Sequence, residues 1–155
     1  MTTIRISEIR RDQDLQPRAM MNAVTIAEYA EEIENGAVFP PVTVYHDLDA
    51  DASWLADGFH RVEAAERNGQ TTIEADIRPG TKRDAILWSV SANSTHGLRR
   101  SDADKRKAVL TLLEDEEWRT WSDRMIARKT ATSHTFVAKI RDLTGNVASQ
   151  RQYQT

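Results

Sequence analysis

The residues best equipped for chemistry lie in positions 54–69, W-L-A-D-G-F-H-R-V-E-A-A-E-R-N-G. A short apolar run at 54–56 ends in Asp57-Gly58. Residues 59–67 then read as a helix with Val62, Ala64 and Ala65 on one side and Asn68-Gly69 as its stop. A strand that breaks at glycine into a helix leaves N–H groups unbonded at the helix start. Those groups and the helix dipole favour an anion. His60 and Arg61 fall in the first turn, where they can close on a phosphate. Asp57 and, one turn later, Glu63 are the carboxylates that metal-assisted phosphodiester chemistry would require. Taken alone, the stretch fits a plain strand–turn–helix with solvated polar residues better, because one glycine is a weak phosphate-loop signal.

The second informative stretch runs from 121 to 143. Ser122 is placed to cap a short helix holding Met125, Ile126 and Ala127. A turn comes next at 130–132, and Ser133 caps a second helix with Phe136, Val137 and Ile140 inside. This spacing suits two helices crossing at a tight turn, a helix-turn-helix whose second helix lies in a DNA major groove. It departs from the usual pattern at Ala131, where glycine is common, and at Thr132, where an apolar residue is common. The positions expected to face outward are His134, Thr135, Lys139 and Arg141, flanked by Arg124, Arg128 and Lys129. The alternative is a small helical packing unit with a solvated basic face. Spacing, capping and charge agree on DNA.

The elements that must position these residues can be read from periodicity. Residues 2–6 alternate, predicting a short strand, and 7–21 read as irregular. Thr25-Ile26-Ala27-Glu28 has a capping-box pattern and predicts a helix start, with Ile26, Tyr29, Ala30 and Ile33 as its apolar stripe and Asn35-Gly36 as its end. Phe39-Pro40-Pro41 enforces an extended entry into a strand at 42–45. Asp47, Asp49 and Asp51 have the spacing of a calcium loop, but Ala52 and Gly58 stand where its glycine and glutamate belong, so a surface hairpin turn is expected. Residues 71–78 alternate as a strand. The rest reads as helices. One begins after Thr81, and another is capped by Ser101 with Ala108, Val109, Leu112 and Leu113 on its core face.

Composition bounds the function classes. The 155 residues include no cysteine, which removes disulfides, thiolate catalysis and cysteine–zinc sites and fits a reducing cytoplasm. The four histidines are too scattered for a metal site, so no structural metal is expected. No apolar run approaches transmembrane length and no signal-peptide core is present, so no membrane partner is expected. The net charge of −3 conceals an asymmetry. Residues 1–80 carry 7 Lys/Arg against 15 Asp/Glu, and residues 81–155 carry 14 against 9. The acidic front and basic back predict two functional parts, with polyanion binding in the back.

Taken in chain order, Q-P-R at 16–18, G-A-V-F-P-P-V-T-V at 36–44, D-G-F-H-R-V-E-A-A-E-R-N-G at 57–69, A-N-S-T-H-G-L-R-R-S-D-A-D at 92–104 and the helix pair resemble a known order of motifs. Over residues 4–143 the sequence resembles the ParB/sulfiredoxin fold. It is most similar to the ParB-like DNA-binding proteins of plasmids and other mobile elements, including short stand-alone regulators. The resemblance implies an α+β fold. A small mixed-sheet domain of nucleotide-binding type is expected at 1–80, then an all-helical segment at 81–145 with the helix-turn-helix at 122–143, and a polar tail at 146–155.

The resemblance also implies site residues. In ParB proteins a G-E-R-R motif binds the CTP triphosphate and an E-N-x-Q-R motif supports nucleotide and magnesium. Gly58 and Arg61 match the first, with Phe59 and His60 replacing its Glu and first Arg. Asn93 matches the second, with Ala92 in place of the acid and His96 in place of the Arg. Arg18, Gly58, His60, Arg61, Asn93 and His96 are thus the implied nucleotide contacts, for CTP or ATP with Mg2+, and Asn93 is the implied magnesium ligand. Ala92 cannot ligate, so weakened binding with slow or absent hydrolysis is expected. Gly58, His60 and Arg61 also match the G-C-H-R of sulfiredoxin, but Phe59 replaces its cysteine, which excludes sulfinic-acid reduction.

The expected function is ParB-like binding of double-stranded DNA, in plasmid or element partition or in transcription, at the nucleoid or a plasmid. Arg124, Arg128, Lys129 and Arg141 are assigned to phosphates, and Ser133, His134, Thr135 and Lys139 to base edges. The alternative is an enzyme, a metal-dependent nuclease or nucleotide triphosphatase, with Asp57 as its candidate catalytic acid. One helix-turn-helix reads a half-site, and the sequence ends at Thr155, soon after the second helix, without the usual ParB dimerisation domain. A homodimer or an accessory protein is therefore expected.

Overall fold

The computed structural model describes residues 2–12, 15, 16, 18, 21–91 and 100–145. Asn93, His96 and the 146–155 tail lie outside the described residues. The contacts divide the chain into two compact units. The first contains the sheet and its helices. The second contains the helices from residue 100 onward together with Arg18 and Val90.

The first unit is built on five strands: β1 (Thr2–Arg5), β2 (Ile9–Arg10), β3 (Val42–Asp47), β4 (Ala52–Asp57) and β5 (Thr72–Pro79). Their order across the sheet is β1-β5-β3-β4-β2. β3 runs antiparallel to β4 and parallel to β5, β1 is antiparallel to β5, and β2 is parallel to β4. Val42, Val44, Leu55, Ala56 and Ala75 are fully buried at the centre. α1 (Ala23–Glu34) and α2 (Phe59–Arg67) pack together through Tyr29, Ala30 and Ala64, with Ile26, Ile33 and Phe39 against them. α3 (Lys82–Ser91) comes after β5.

The acidic run at 47–51 does form the β3–β4 hairpin turn. Asp47 Oδ1 accepts the N–H of Asp49 at 3.0 Å, and Asp51 takes a positive φ of 48°. Two local expectations fail. The cap of α1 is Asn22, whose Oδ1 accepts the N–H of Thr25 at 3.0 Å, so the helix begins ahead of the T-x-x-E pattern. Asn is a strong cap, and Thr25 is buried inside the helix it was expected to open. The segment expected to be irregular contains a 3-10 turn at Ile6–Glu8 and β2. Two residues are too short to show a period, and only pairing with Ser53 and Trp54 of β4 makes them a strand.

The second unit contains α4 (Asp102–Leu113), a 3-10 turn at Trp118–Thr120, α5 (Asp123–Thr130) and α6 (His134–Leu143). α4 opens with a complete capping box. Ser101 Oγ accepts the N–H of Asp104 at 3.1 Å, and Asp104 Oδ2 accepts the N–H of Ser101 at 2.8 Å. Val109, Leu112, Leu113, Trp118, Ile126, Val137 and Ile140 form the core. Of the tryptophans expected in the core, Trp118 is buried, whereas Trp88 and Trp121 are half-buried. No described helix is long and apolar enough to cross a membrane.

Candidate functional site

Gly58 ends β4 and caps α2 with φ 105°. A Cβ there would lie 2.5 Å from Val42 Cγ1. Glycine is thus required twice, by a backbone that L-residues resist and by the closeness of β3. The side chains of the first turn point inward. His60 is buried, and its Nε2 accepts the N–H of Asn22 at 3.1 Å. That bond uses the Nε2 lone pair and fixes the neutral tautomer with its proton on Nδ1. His60 therefore ties the start of α2 to the start of α1.

Arg61 is similarly committed. Its Nη1 donates to the carbonyls of Pro40 at 2.7 Å and Pro41 at 3.2 Å, and its Nη2 lies 3.6 Å from Asp57 Oδ2. Burial pulls its pKa below the ordinary arginine value, and Asp57 works against that shift. Arg61 also lines a cleft of about 310 Å3 with Phe39, Pro40, Ala65, Gln70 and Glu74. Neither Gly58 nor His60 lines that cleft.

These positions correct the expected phosphate contacts. His60 and Arg61 serve the packing of α2 and the proline loop instead of opening onto an anion. Arg18 belongs to the second unit, where its Nη1 donates to Asp104 Oδ2 at 3.0 Å and its carbonyl accepts from Lys107 Nζ at 2.9 Å. The described residues do not fit a triphosphate cradle, because their donors already have internal acceptors and the space beside Gly58 is filled by Val42. The acids are also engaged. Asp57 faces Arg61, while Glu63 and Glu66 accept from Arg11 at 2.9 and 2.7 Å. The hydrogen bond from Arg11 to Glu66 raises the Arg11 pKa, with burial opposing it. No cluster of three or more His, Asp or Glu suited to a metal occurs among the described residues.

α5 and α6 present the opposite picture. Ser122 Oγ accepts from Met125 N–H and Ser133 Oγ from Phe136 N–H, each at 3.1 Å, so both expected caps are made. Between the helices Ala131 is left-handed at φ 55°, ψ 46°. Arg124, Arg128, Lys129, Ser133, His134, Thr135 and Lys139 are all exposed. Arg141 is the exception. It is fully buried, donating from Nε to Asp123 Oδ1 at 2.9 Å, from Nη1 to the Arg119 carbonyl at 3.0 Å and from Nη2 to the Trp121 carbonyl at 3.0 Å. Its assignment to a DNA phosphate is corrected. Helical spacing carried the signal, because 141 lies four residues after Val137 and one after Ile140, on the apolar face. Asn22 was also missed, although Asn before Ala-Val-Thr is a legible cap.

A parallel-and-antiparallel sheet carrying two packed helices, with a helical unit after it, defines an α+β protein of ParB/sulfiredoxin-like fold. The ParB N-terminal domain family model matches residues 1–94, and the chain belongs to that family. A possible regulatory protein of the streptomycin biosynthesis operon of Streptomyces griseus is 32% identical over 107 residues, spanning 69% of this chain and 29% of that protein. The transcriptional regulator NovG of Streptomyces niveus is 33% identical over 102 residues, 66% of this chain and 30% of NovG. The chain thus spans less than a third of either relative. Among solved structures, the C-terminally truncated chromosome-partitioning protein ParB of Caulobacter crescentus, complexed to the centromeric parS site, shares the fold at a TM-score of 0.60 and 18% identity. That likeness covers 93% of this chain and 72% of the other. The same ParB complexed with CTP-γ-S gives a TM-score of 0.52 at 21% identity, covering 93% and 78%.

Proposed function

We propose that this chain binds double-stranded DNA through α5 and α6 and acts in transcriptional regulation. One observation carries the reading. The face of these helices predicted to meet DNA is exposed at seven positions, and four of them are cationic: Arg124, Arg128, Lys129 and Lys139. In this reading α6 lies in the major groove. Ser133, His134, Thr135 and Lys139 meet base edges, while Arg124, Arg128 and Lys129 meet phosphates. The naming of both Streptomyces relatives as regulators favours transcription over partition.

Four cationic contacts imply a slope of log K against log salt of about −3 to −4. The test is selection of a duplex from a random library, then anisotropy titration over a salt series. A steep slope and a selected motif are expected. Absence of binding to any duplex at low salt overturns the reading. A single α6 reads one half-site, so two copies, or one copy and an accessory protein, are proposed on the DNA. Light scattering with and without the selected duplex measures that stoichiometry.

The nucleotide part of the reading rests on the family motifs and on the fold shared with a CTP-γ-S-bound ParB. The engagement of His60, Arg61 and Arg18 predicts that CTP, ATP or GTP with Mg2+ binds only near about 1 mM, about −4 kcal/mol, without steady turnover. Calorimetric titration checks the affinity, and phosphate release checks the turnover.

A further inference from the structure

The turn between α5 and α6 is built on a residue poorly suited to it. Ala131 adopts φ 55°, ψ 46°, a left-handed conformation that a Cβ disfavours and glycine accepts freely. A helix end also leaves carbonyls in need of donors. The N–H groups of Ala131 and Thr132 both reach the Ala127 carbonyl, and the Thr130 hydroxyl bonds the Ile126 carbonyl and the Thr132 hydroxyl. The carbonyls of Thr130 and Ala131 are held from outside the helix pair by Arg100. Its Nη2 donates to them at 2.9 and 3.2 Å, and its Nη1 donates to the Val90 carbonyl at 3.2 Å.

Arg100 is itself anchored. The next residue, Ser101, begins the capping box of α4, so the root of the arginine is fixed to a rigid helix start. Burial, and then repulsion from Arg18, pull its pKa below the ordinary arginine value, with Asp104 opposing. A guanidinium kept at this cost must be held by its acceptors, and those acceptors are the turn.

We propose that Arg100 is a positioning residue for the nucleic-acid interface. Its fork holds the Ala131 turn in the left-handed conformation and so sets the direction in which α6 presents Ser133, His134, Thr135 and Lys139. This rests on the DNA-binding reading above. Arg100 substitutes for the glycine that such a turn commonly carries. Its two forked nitrogens donate to backbone carbonyls, so it acts on DNA through the turn and makes no phosphate contact.

The experiment uses the full chain, a selected duplex and a scrambled duplex of equal length. Arg100→Gln is expected to lower the preference for the selected duplex by about tenfold, one charged hydrogen bond's worth. The salt slope should stay unchanged, because no phosphate contact is lost. Ala131→Gly alone should change the preference by less than about twofold, since it loosens no contact of the fork. Added to Arg100→Gln, it should restore most of the preference, because glycine holds the left-handed turn unaided. Arg100→Lys, with one ammonium in place of a fork, should fall between Gln and the native residue.

Amide exchange gives a readout that needs no DNA. Protection of the Ala131 and Thr132 N–H groups should fall in Arg100→Gln and return in the double variant. A salt slope shallower by about one, with equal losses on both duplexes, identifies a phosphate contact and overturns the proposal. A double variant no better than Arg100→Gln, in preference or in protection, also overturns it. Failure of the native chain to bind any duplex refutes the DNA reading separately, and the exchange comparison then still decides whether Arg100 holds the turn.

Discussion

α2 and α6 both begin with a capping residue and carry a histidine in the first turn, yet they place their polar groups in opposite directions. His60 of α2 is buried against Asn22, whereas His134 of α6 is exposed beside Thr135. The same contrast separates the arginines. Arg61 and Arg141 each sit among two backbone carbonyls and one aspartate: Pro40, Pro41 and Asp57 for the first, Arg119, Trp121 and Asp123 for the second. Arg124 and Arg128 lie in the open on the neighbouring helix. A guanidinium becomes structural when the chain brings carbonyls and a carboxylate to its fork, and remains available to a partner when it does not. Residue type alone does not separate the two cases.

The sharpest way to break this comparison is Arg141→Met. It leaves the Asp123 carboxylate and two carbonyls without their donor in a packed site, and should cost about 3–5 kcal/mol. Urea unfolding measures it, and a loss below about 1 kcal/mol would mean that Arg141 is as dispensable as a surface arginine. Gly58→Ala comes next, at about 2–4 kcal/mol, because it adds backbone strain at φ 105° to a clash with Val42. A Val42→Ala background should recover the steric share and leave the backbone share, which thermal melts of the native chain, both single variants and the double variant separate.

Ser133→Ala removes the cap of α6 and should cost about 1 kcal/mol of stability, with DNA affinity falling alongside. Lys139→Ala is the mildest for the fold, within about 0.5 kcal/mol, while reducing the salt slope of DNA binding by about 1. An equal loss of stability and binding at Lys139 would place it with Arg141 instead of with the exposed cations.

Much of the architecture could be read from the chain. The hairpin at 47–51, the glycine stop at 58, the capping box at Ser101 and the caps at Ser122 and Ser133 are local chemistry, settled within a few residues, and each appears where the spacing put it. β2 and the fates of His60 and Arg61 were not legible. β2 exists because β4 offers a partner edge at Ser53, remote in sequence from the Ile9 it pairs with. His60 and Arg61 turn inward because Asn22 and the Pro40–Pro41 loop, distant in sequence, supply a donor and two acceptors. Arg141 was legible and misread, since its place four residues after Val137 already put it on the buried face.

Residues 54–69 show the division of labour. The sequence by itself determined that a strand breaks at Gly58 into a helix, because apolar run, glycine, periodicity and stop signal act over neighbouring residues. It also determined the basic helix pair, through caps and charge. Only the tertiary structure decided which polar side chains of each helix remain free. Hydrogen-bond partners arrive from remote segments, and an unpaired buried donor is too costly to leave, so each side chain turns toward whatever acceptor packing brings within about 3 Å.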